Sequence, residues 1–379
     1  MFLNRLHRLQ AALAQANLNC VAAIAGPNLY YLTGLSFHLS ERPAVGFFPA
    51  VGDPVMVVPA LEESKVTTGG PYPIRLFTYD DIAGPAAAFG QAAQALGPAA
   101  QPLGVEFGRM RVMEWRWIEA AFAAAVAAVA AKADGQPGFQ PAEPVLARLR
   151  MAKDEAELAH MRRATVIAER ALAATLPYVK VGLSEHDLAA ELVAQMLRAG
   201  SDAELPFAPI VASGPNAALP HAAVTDRALQ AGDLLIVDWG AAYHGYFSDL
   251  TRTFAVGEVA AELQTVFAVV QAANAAGRAA ARPGVTCASV DAAARRVIAA
   301  AGYGDFFTHR VGHGLGLEAH EAPSMHGENQ MVLEPGMTFT IEPGIYLPGR
   351  GGVRIEDDMV ITADGSESLS VYPRDWRVC

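Results

Sequence analysis

Residues 236–254 read IVDWGAAYHGYFSDLTRTF, and this stretch decides the fold. An apolar run that predicts a buried strand ends in Asp238, where a carboxylate would be poorly solvated. A second strand-like run contains Asp249, eleven residues later. If the chain turns near His244 and Gly245, the two strands pair antiparallel and both aspartates lie at a similar height.

Two further carboxylates occupy comparable positions later in the chain. Glu342 ends the apolar strand predicted in MTFTIEPGIY (337–346), and Glu356 lies inside the one predicted in GGVRIEDDMVI (351–361). Adjacent buried carboxylates repel one another unless a cation lies between them. A single strand-end aspartate is usually a turn or capping residue. Four such carboxylates together predict a divalent metal site, to which His313 offers a nitrogen ligand.

The segment THRVGHGLGLEAHE (308–321) concentrates three histidines, two glutamates and three glycines. Its glycines would let the backbone approach a site closely, and its glutamates are predicted to be structural. Taken singly, His320 in this segment and His221 in GPNAALPH (214–221) could each be an ordinary core or surface residue. Their interpretation therefore depends on the rest of the site.

Composition excludes several classes of protein. The formal charge of -11 and the pI near 5.4 argue against a nucleic-acid surface, which would need clustered lysine and arginine. Three cysteines, odd in number and far apart, argue against a disulfide framework and favour a reducing compartment. The N-terminus lacks the apolar core of a signal peptide, and the longest uncharged apolar stretch, 120–131, is too short to span a bilayer. We therefore expect a soluble cytoplasmic protein with no membrane partner.

The 379 residues fit two domains. In the first part, the apolar runs CVAAIAG, AVGFFPA and PVMVVPA suit buried strands that alternate with helices. The Gly- and Pro-rich segment DGQPGFQPAEP (134–144) is typical of a linker. We therefore predict an N-terminal α/β accessory domain at 1–147 and a catalytic domain at 148–379.

The second part is predicted to be α+β. Ser184 with Asp187 has the pattern of a helix start, and Gly200 that of a helix end. The predicted helices cover about 154–176, 184–200, 258–281 and 287–301, and the predicted strands 208–213, 233–239, 246–256, 336–342 and 352–361.

In its order of potential ligands the chain resembles the pita-bread dinuclear metallopeptidases, and more closely their Xaa-Pro branch, the prolidases and aminopeptidases P. The ligands in that order are Asp238, Asp249, His313, Glu342 and Glu356. The flanking segments HRVGHGLGLEAHEAP, EPGMTFTIEPGIY and GVRIEDDMVI match as well, and NLYYLTG near the N-terminus is similar to the accessory domain of that branch. The resemblance implies a C-terminal pita-bread (creatinase/aminopeptidase-like) domain after a smaller creatinase-like α/β domain.

The same resemblance implies two divalent metal ions per subunit. Asp238 would chelate one ion, Asp249 and Glu356 would bridge the pair, and His313 and Glu342 would complete the other. Glu342 would also act as the general base or acid. The oxygen-rich ligand set favours manganese, with cobalt, iron or zinc as alternatives.

Further residues match the family's substrate-handling and catalytic positions. His221 and His320 would hold the substrate and steady the tetrahedral intermediate. His309 would belong to the catalytic set, and Arg354 would support the site and contribute to substrate binding.

The implied reaction is hydrolysis of the Xaa-Pro peptide bond by a homodimer, with proline-containing di- or oligopeptides as substrates. Many prolidases carry an arginine shortly after the HE pair, where it can bind a dipeptide's carboxylate, but here Ser324 occupies that neighbourhood. Arg42, in a loop between apolar runs of the N-terminal domain, could supply the cation instead, or it could be an exposed loop arginine with no such role. Dipeptides are the predicted substrates, and the alternative is an aminopeptidase P that acts on longer peptides.

Two other readings fit less well. Methionine aminopeptidases share the five ligands but usually lack a folded domain of this size ahead of the catalytic one. A non-enzymatic pita-bread binding module would be expected to lose ligands, whereas all five are present here.

Overall fold

The computed structural model of the protein describes residues 1–129 and 138–379. The chain forms two compact units, Met1–Arg150 and Met151–Cys379. The division predicted after residue 147 lies within a helix, Glu143–Met151. Part of the predicted linker, 134–137, lies outside the described residues. From Gly138 onwards the linker segment forms a strand of the first unit's sheet and then the start of that helix.

The first unit is an α/β domain built on one six-stranded sheet with the order β4-β3-β2-β1-β5-β6. Its strands are β1 (Cys20–Ile24), β2 (Val45–Pro49), β3 (Val55–Pro59), β4 (Arg75–Tyr79), β5 (Leu103–Val105) and β6 (Phe139–Pro141). Its helices are α1 (Phe2–Gln15), α2 (Pro27–Thr33), α3 (Glu63–Gly69), α4 (Ala86–Leu96), α5 (Val112–Val129) and α6 (Glu143–Met151).

The three apolar runs predicted as strands form β1, β2 and β3, and every residue of these strands is buried. They pair antiparallel with one another, whereas β4, β5 and β6 each join the sheet in parallel. Residues of α4 and α5 pack with β1, β2, β3 and β5 in one apolar core. Strands buried throughout read as continuous apolar runs, which is why the sequence identified them.

The second unit is α+β, as predicted. Its helices are α7 (Glu155–Thr175), α8 (Glu185–Arg198), α9 (Ala261–Ala280) and α10 (Cys287–Ala300). Its strands are β7 (Ile210–Ser213), β8 (Leu234–Trp239), β9 (Ala242–Tyr243), β10 (Tyr246–Phe247), β11 (Leu250–Ala255), β12 (Gly312–Gly314), β13 (Glu321–Met325), β14 (Thr338–Ile341), β15 (Gly344–Leu347), β16 (Gly351–Arg354), β17 (Asp357–Ile361) and β18 (Ser366–Ser368).

Each helix pair of this unit shares a core with its own antiparallel sheet. Helices α7 and α8 pack with the sheet β11-β8-β7, and α9 and α10 pack with the sheet β13-β12-β14-β17-β18. The hydroxyl of Ser184 accepts a bond from the backbone N–H of Asp187 at the start of α8, which confirms the predicted cap. An isolated antiparallel bridge between Thr251 and Glu356 connects the two sheets, and the carboxylates gather near this junction.

Two strands predicted as continuous are interrupted. The predicted strand 246–256 divides into β10 and β11 around Asp249, and the predicted strand 352–361 divides into β16 and β17 around Glu356. The backbone N–H of Asp249 donates to Oδ2 of Asp358 at 3.1 Å. The chain therefore leaves the regular strand at the residues whose side chains face the site.

No helix in the described ranges is both long and apolar enough to cross a membrane.

Candidate active site

Strands β8 and β11 bring Asp238 and Asp249 to the same side of their sheet. Asp238 pairs with Thr251 across the two strands, and Asp249 precedes Thr251 by two residues. The hairpin β9-β10 turns at His244 and Gly245, with φ values of 51° and 74°. Positive φ at both central residues is what a tight two-residue hairpin turn requires, so the predicted turn is confirmed.

Strand β12 carries His313 between two glycines that leave room for neighbouring backbone. A Cβ at Gly312 would lie 1.9 Å from the carbonyl oxygen of Thr340, and one at Gly314 would lie 2.2 Å from that of Ala322. Any larger residue at either position would push β12 away from the adjacent strand. The glycines therefore fix where the imidazole stands.

Glu342 is the first residue after β14. Its backbone N–H donates to the carbonyl of Val311 at 2.7 Å, which ties it to the segment before β12. Its Oε1 lies 3.2 Å from Nε2 of His313 and accepts a hydrogen bond of 3.2 Å from the Thr340 hydroxyl. Two neighbouring strands thus place a carboxylate directly against the imidazole.

Glu356 stands between β16 and β17 and is buried. The hydroxyl of Thr251 donates to its Oε2 at 2.6 Å. Asp249, His313 and Glu356 each offer a ligand atom, and these atoms lie within 4.8 Å of one another. The structure therefore brings these three of the five predicted ligands into one group, and Glu342 adjoins it through His313.

The electrostatics of the cluster favour a cation. Burial raises the pKa of Asp249 well above the usual carboxyl range, and the neighbouring charges of Glu356 and Asp238 raise it further. Burial likewise raises the pKa of Glu356, with Glu342 and Asp238 adding to the effect. Burial also raises the pKa of Asp238, against the opposing charge of Arg354. Such carboxylates are costly to ionise together unless positive charge lies among them.

One oxygen of Asp238 tests whether the residues fit a metal ion. Its Oδ2 accepts a hydrogen bond from Nη2 of Arg354, whereas its Oδ1 is buried without a hydrogen-bond partner in the described part of the chain. A buried carboxylate oxygen without a partner is destabilising. A divalent cation would satisfy it, and a set of carboxylate oxygens with one imidazole nitrogen is a suitable ligand set. The residues present therefore fit such an ion.

Arg354, Tyr346 and His309 form a hydrogen-bonded chain beside Asp238. Nη1 of Arg354 donates to the Tyr346 hydroxyl at 2.9 Å, and that hydroxyl lies 2.8 Å from Nε2 of His309. Nδ1 of His309 lies 2.7 Å from the carbonyl oxygen of Arg310. These bonds are mutually consistent if Tyr346 donates to Nε2 and Nδ1 carries the proton of a neutral imidazole. Burial lowers the pKa of His309, which agrees with this neutral state.

His320 and His221 border the cluster. The ring centroids of His320 and His313 lie 3.9 Å apart. Partial burial, followed by the charges of His313 and Arg310, lowers the pKa of His320 to about 4, so it is neutral near pH 7. His221 is exposed, and its charge is among the causes that lower the pKa of His309 and His320. The carbonyl of the preceding residue accepts a bond of 3.2 Å from Arg354.

Arg42 belongs to the first unit, where its guanidinium is already paired. Nε and Nη2 donate to the two carboxylate oxygens of Asp81 at 2.7 and 2.8 Å, and Nη1 donates to Glu41 at 2.8 Å. The groups are exposed to solvent, where such ion pairs contribute little to stability.

Sequence reasoning missed several residues that contact the predicted ligands or Arg354. Thr251 and Tyr346 read as ordinary strand residues, and nothing in their flanks signals a bond to a ligand or to Arg354. Asp358 had a detectable signal, because it follows Glu356 by two positions in IEDD. Its Oδ2 supports the backbone of Asp249, and its buried Oδ1 has no partner among the residues described.

A buried ion pair includes Glu321, the residue that follows His320. Nζ of Lys153 contacts the Glu321 carboxylate, and both side chains are almost fully buried. The backbone N–H of Lys153 also donates to the carbonyl of Gly336 at 2.8 Å. Glu321 was predicted to be structural, and this contact supports that role.

Two family descriptions match the chain. Residues 5–152 match the Creatinase/Prolidase N-terminal domain, and residues 159–363 match metallopeptidase family M24.

Individual proteins align over nearly the whole length. The "Probable dipeptidase PepE" of Mycobacterium tuberculosis is 37% identical over 376 residues, which are 99% of this chain and 96% of that protein. A crystal structure of recombinant prolidase from Thermococcus sibiricus has a TM-score of 0.91 at 31% identity. The match covers 100% of this chain and 99% of the prolidase chain. The crystal structure of an X-Pro aminopeptidase from Thermotoga maritima has a TM-score of 0.82 at 28% identity. The match covers 97% of this chain and 100% of that chain.

Proposed function

The chain belongs to metallopeptidase family M24 and carries a Creatinase/Prolidase N-terminal domain; we propose that it hydrolyses the peptide bond before proline, with Xaa-Pro dipeptides as its preferred substrates. The observation that carries the proposal is the buried cluster in which ligand atoms of Asp249, His313 and Glu356 lie within 4.8 Å of one another. Support for the substrate comes from relatives named dipeptidase and prolidase.

We propose that Asp238, Asp249, His313, Glu342 and Glu356 hold two divalent ions, with Asp249 and Glu356 shared between them. The ions, when bound, supply Lewis acidity that polarises the scissile carbonyl and makes a water molecule a better nucleophile near neutral pH. The unsatisfied Oδ1 of Asp238 and the raised pKa values of Asp249 and Glu356 support this ligand set.

Glu342 is the proposed proton carrier. Burial alone would raise its pKa, but in the metal-free protein the hydrogen bond and charge of His313 outweigh burial and lower the pKa to about 2. With metal bound, His313 would be neutral, and the charge of the ions would favour the ionised carboxylate instead. Its side chain is 15% exposed, compared with 5% for His313. It is therefore both charged and accessible enough to take a proton from the attacking water and pass it to the proline nitrogen.

His320 and His221 are proposed to bind the substrate, and His309 to assist catalysis from its bond to Tyr346. The lowered pKa of His320 keeps its ring neutral, so it can hydrogen-bond the peptide without adding charge to the site. Arg354 is proposed to act mainly on Asp238 and Tyr346, because its donors are already bonded to them. Its predicted contribution to substrate binding would pass through these partners.

The preference for dipeptides requires a cation that recognises a free carboxylate next to proline. Arg42 remains a proposed source, although its ion pairs with Asp81 and Glu41 would have to open or be shared. The alternative function is that of an aminopeptidase P, which releases the N-terminal residue of longer Xaa-Pro peptides. The similarity to the Thermotoga maritima X-Pro aminopeptidase supports this alternative.

Three finer features belong to the same proposal. Manganese is the proposed physiological metal because four of the five ligands are carboxylates, with cobalt, iron and zinc as possible substitutes. The proposed assembly is a homodimer, and the proposed location is the cytoplasm. The reducing conditions there would suit the three cysteines, which are unpaired.

A substrate panel on metal-free protein refilled with manganese, cobalt or zinc tests the proposal. The panel contains Xaa-Pro dipeptides, Xaa-Pro tripeptides and dipeptides without proline. We expect metal-dependent hydrolysis with the highest kcat/KM on Xaa-Pro dipeptides. Faster hydrolysis of the tripeptides would favour the aminopeptidase alternative, and no hydrolysis of any Xaa-Pro bond with any of the metals would contradict both.

A further inference from the structure

Arg310 places a guanidinium next to the candidate site from the segment just before β12. Its Nη1 donates a hydrogen bond of 3.0 Å to the hydroxyl of Ser324 on β13. Ser324 pairs directly with His313 across these antiparallel strands. Side chains of directly opposed residues project from the same face, so the bond to Ser324 holds the guanidinium on the face from which His313 reaches the site.

The guanidinium has no countercharge in the described part of the chain. Among residues 1–129 and 138–379, no carboxylate lies within ion-pair distance of Arg310, and its bond to Ser324 uses one of its five N–H donors. The neighbouring Arg295, by contrast, is paired with Asp291 at 2.9 Å. A half-buried arginine whose remaining donors bond to none of the described residues is suited to bind an anion from outside the protein.

The cation is close to the residues that would handle the substrate. Ser324, to which the guanidinium is bonded, lies directly opposite His313, and the His320 ring lies 3.9 Å from that of His313. An anion held by Arg310 would therefore lie beside the metal-ligand cluster and not at a remote surface. A dipeptide bound at this cluster carries one such anion, its terminal carboxylate.

We propose that Arg310 binds the C-terminal carboxylate of the dipeptide and thereby determines the preference for dipeptides. This inference rests on the proposed Xaa-Pro hydrolase function and assigns the specificity to a residue of the catalytic unit. Ser324, which cannot supply a charge itself, orients the guanidinium so that its planar fork can meet both carboxylate oxygens. Arg42 differs in that two carboxylates already occupy its donors.

The test compares a free acid with its amide. Kinetics are measured for Ala-Pro and Ala-Pro amide, which differ only at the proposed contact, where the first has a carboxylate and the second a neutral amide. Arg310→Ala should lower kcat/KM on the acid by roughly ten- to a hundredfold, the range of a lost charged hydrogen bond. On the amide the loss should be less than about threefold. Arg162→Ala, which removes an exposed arginine paired with Glu367, is the matched control and should change neither value.

A charge relocation separates recognition from structural support. Arg310→Ser combined with Ser324→Arg moves the cation to the opposite strand while keeping both residue types. It should restore most of the preference for the acid that Arg310→Ala loses. Failure to restore any preference would contradict the idea that a charge at this place is what selects dipeptides.

The outcomes distinguish this inference from the function on which it rests. Equal losses on acid and amide in Arg310→Ala, or no loss on either, would overturn the role of Arg310 while wild-type hydrolysis upholds the function. No hydrolysis of either peptide by the metal-loaded wild-type protein would overturn the function itself. A selective loss in Arg42→Ala with none in Arg310→Ala would assign the carboxylate to Arg42 and reject the inference.

Discussion

The hydroxyl of Thr251 links a proposed metal ligand to the arginine beside it. It donates to Oε2 of Glu356 at 2.6 Å and accepts a bond of 3.1 Å from Nε of Arg354. Thr251 is fully buried and is not itself a proposed ligand. Thr251→Val keeps the branched shape and removes only the hydroxyl, so it tests whether the protein must orient the Glu356 carboxylate for metal to bind.

The size of the effect follows from the bond that is lost. A hydrogen bond to a charged group contributes about 1.5–3 kcal/mol. At about 1.4 kcal/mol per power of ten, this corresponds to a dissociation constant for manganese that is roughly 10- to 100-fold higher. Outer partners of metal ligands typically have effects of the same order. Hydrolysis measured at limiting metal should fall in parallel and recover at high metal concentration.

Thr253→Val is the matched control on the same strand. Among the residues that the structure describes, its hydroxyl bonds only to the backbone of Arg354, at 2.9 and 3.1 Å, and to no carboxylate. The assay is competition for manganese against a chelator of known affinity, with thermal unfolding recorded for both variants. We expect metal affinity to change less than about threefold in the control. Equal weakening in both variants, or none in Thr251→Val, would refute the orienting role of Thr251.

Three further predictions concern other parts of the account. Glu342→Gln should lower turnover at saturating metal by at least about 10²-fold, because it removes the proposed proton carrier, and unchanged turnover would exclude that role. Gly312→Ala would place a Cβ 1.9 Å from the Thr340 carbonyl oxygen, so we expect lower thermal stability and weaker metal binding. A variant with unchanged thermal stability and unchanged metal binding would contradict the close approach of the strands. In native protein the thiol of Cys379 should react with a thiol reagent faster than those of Cys20 and Cys287, because burial raises the pKa of all three but only Cys379 is partly accessible; equal reaction rates of all three would argue against this difference in burial.

The sequence predicted those features that depend on local pattern. Strands that are buried on both faces read as apolar runs, and β1, β2 and β3 lie where such runs stand. Asp238 and Glu342 could be identified because a carboxylate at the end of an apolar strand is out of place in a core. The turn at His244 and Gly245 followed from the spacing of two strands that had to pair.

Other features depend on contacts between distant segments, which periodicity does not encode. The strand breaks at Asp249 and Glu356 arise because β11 meets the other sheet at Thr251, more than a hundred residues away in sequence from Glu356. Arg310 reads as a surface residue of a loop, and only the pairing of β12 with β13 brings it to Ser324. The proposed ligands could thus be predicted from residue type and order, whereas the groups that contact them could be identified only from the tertiary structure.

The central claim is that the five ligands hold two divalent ions on which Xaa-Pro hydrolysis depends. The most direct measurement is the metal content of manganese-loaded, exhaustively desalted protein, determined by mass spectrometry together with Ala-Pro hydrolysis on the same samples. Wild-type protein and Glu367→Ala, an exposed carboxylate variant, should both retain two ions per chain and full activity. Glu356→Ala should lose metal and activity together, because its carboxylate is proposed to be shared by both ions. Full metal content with normal hydrolysis in Glu356→Ala would contradict the account.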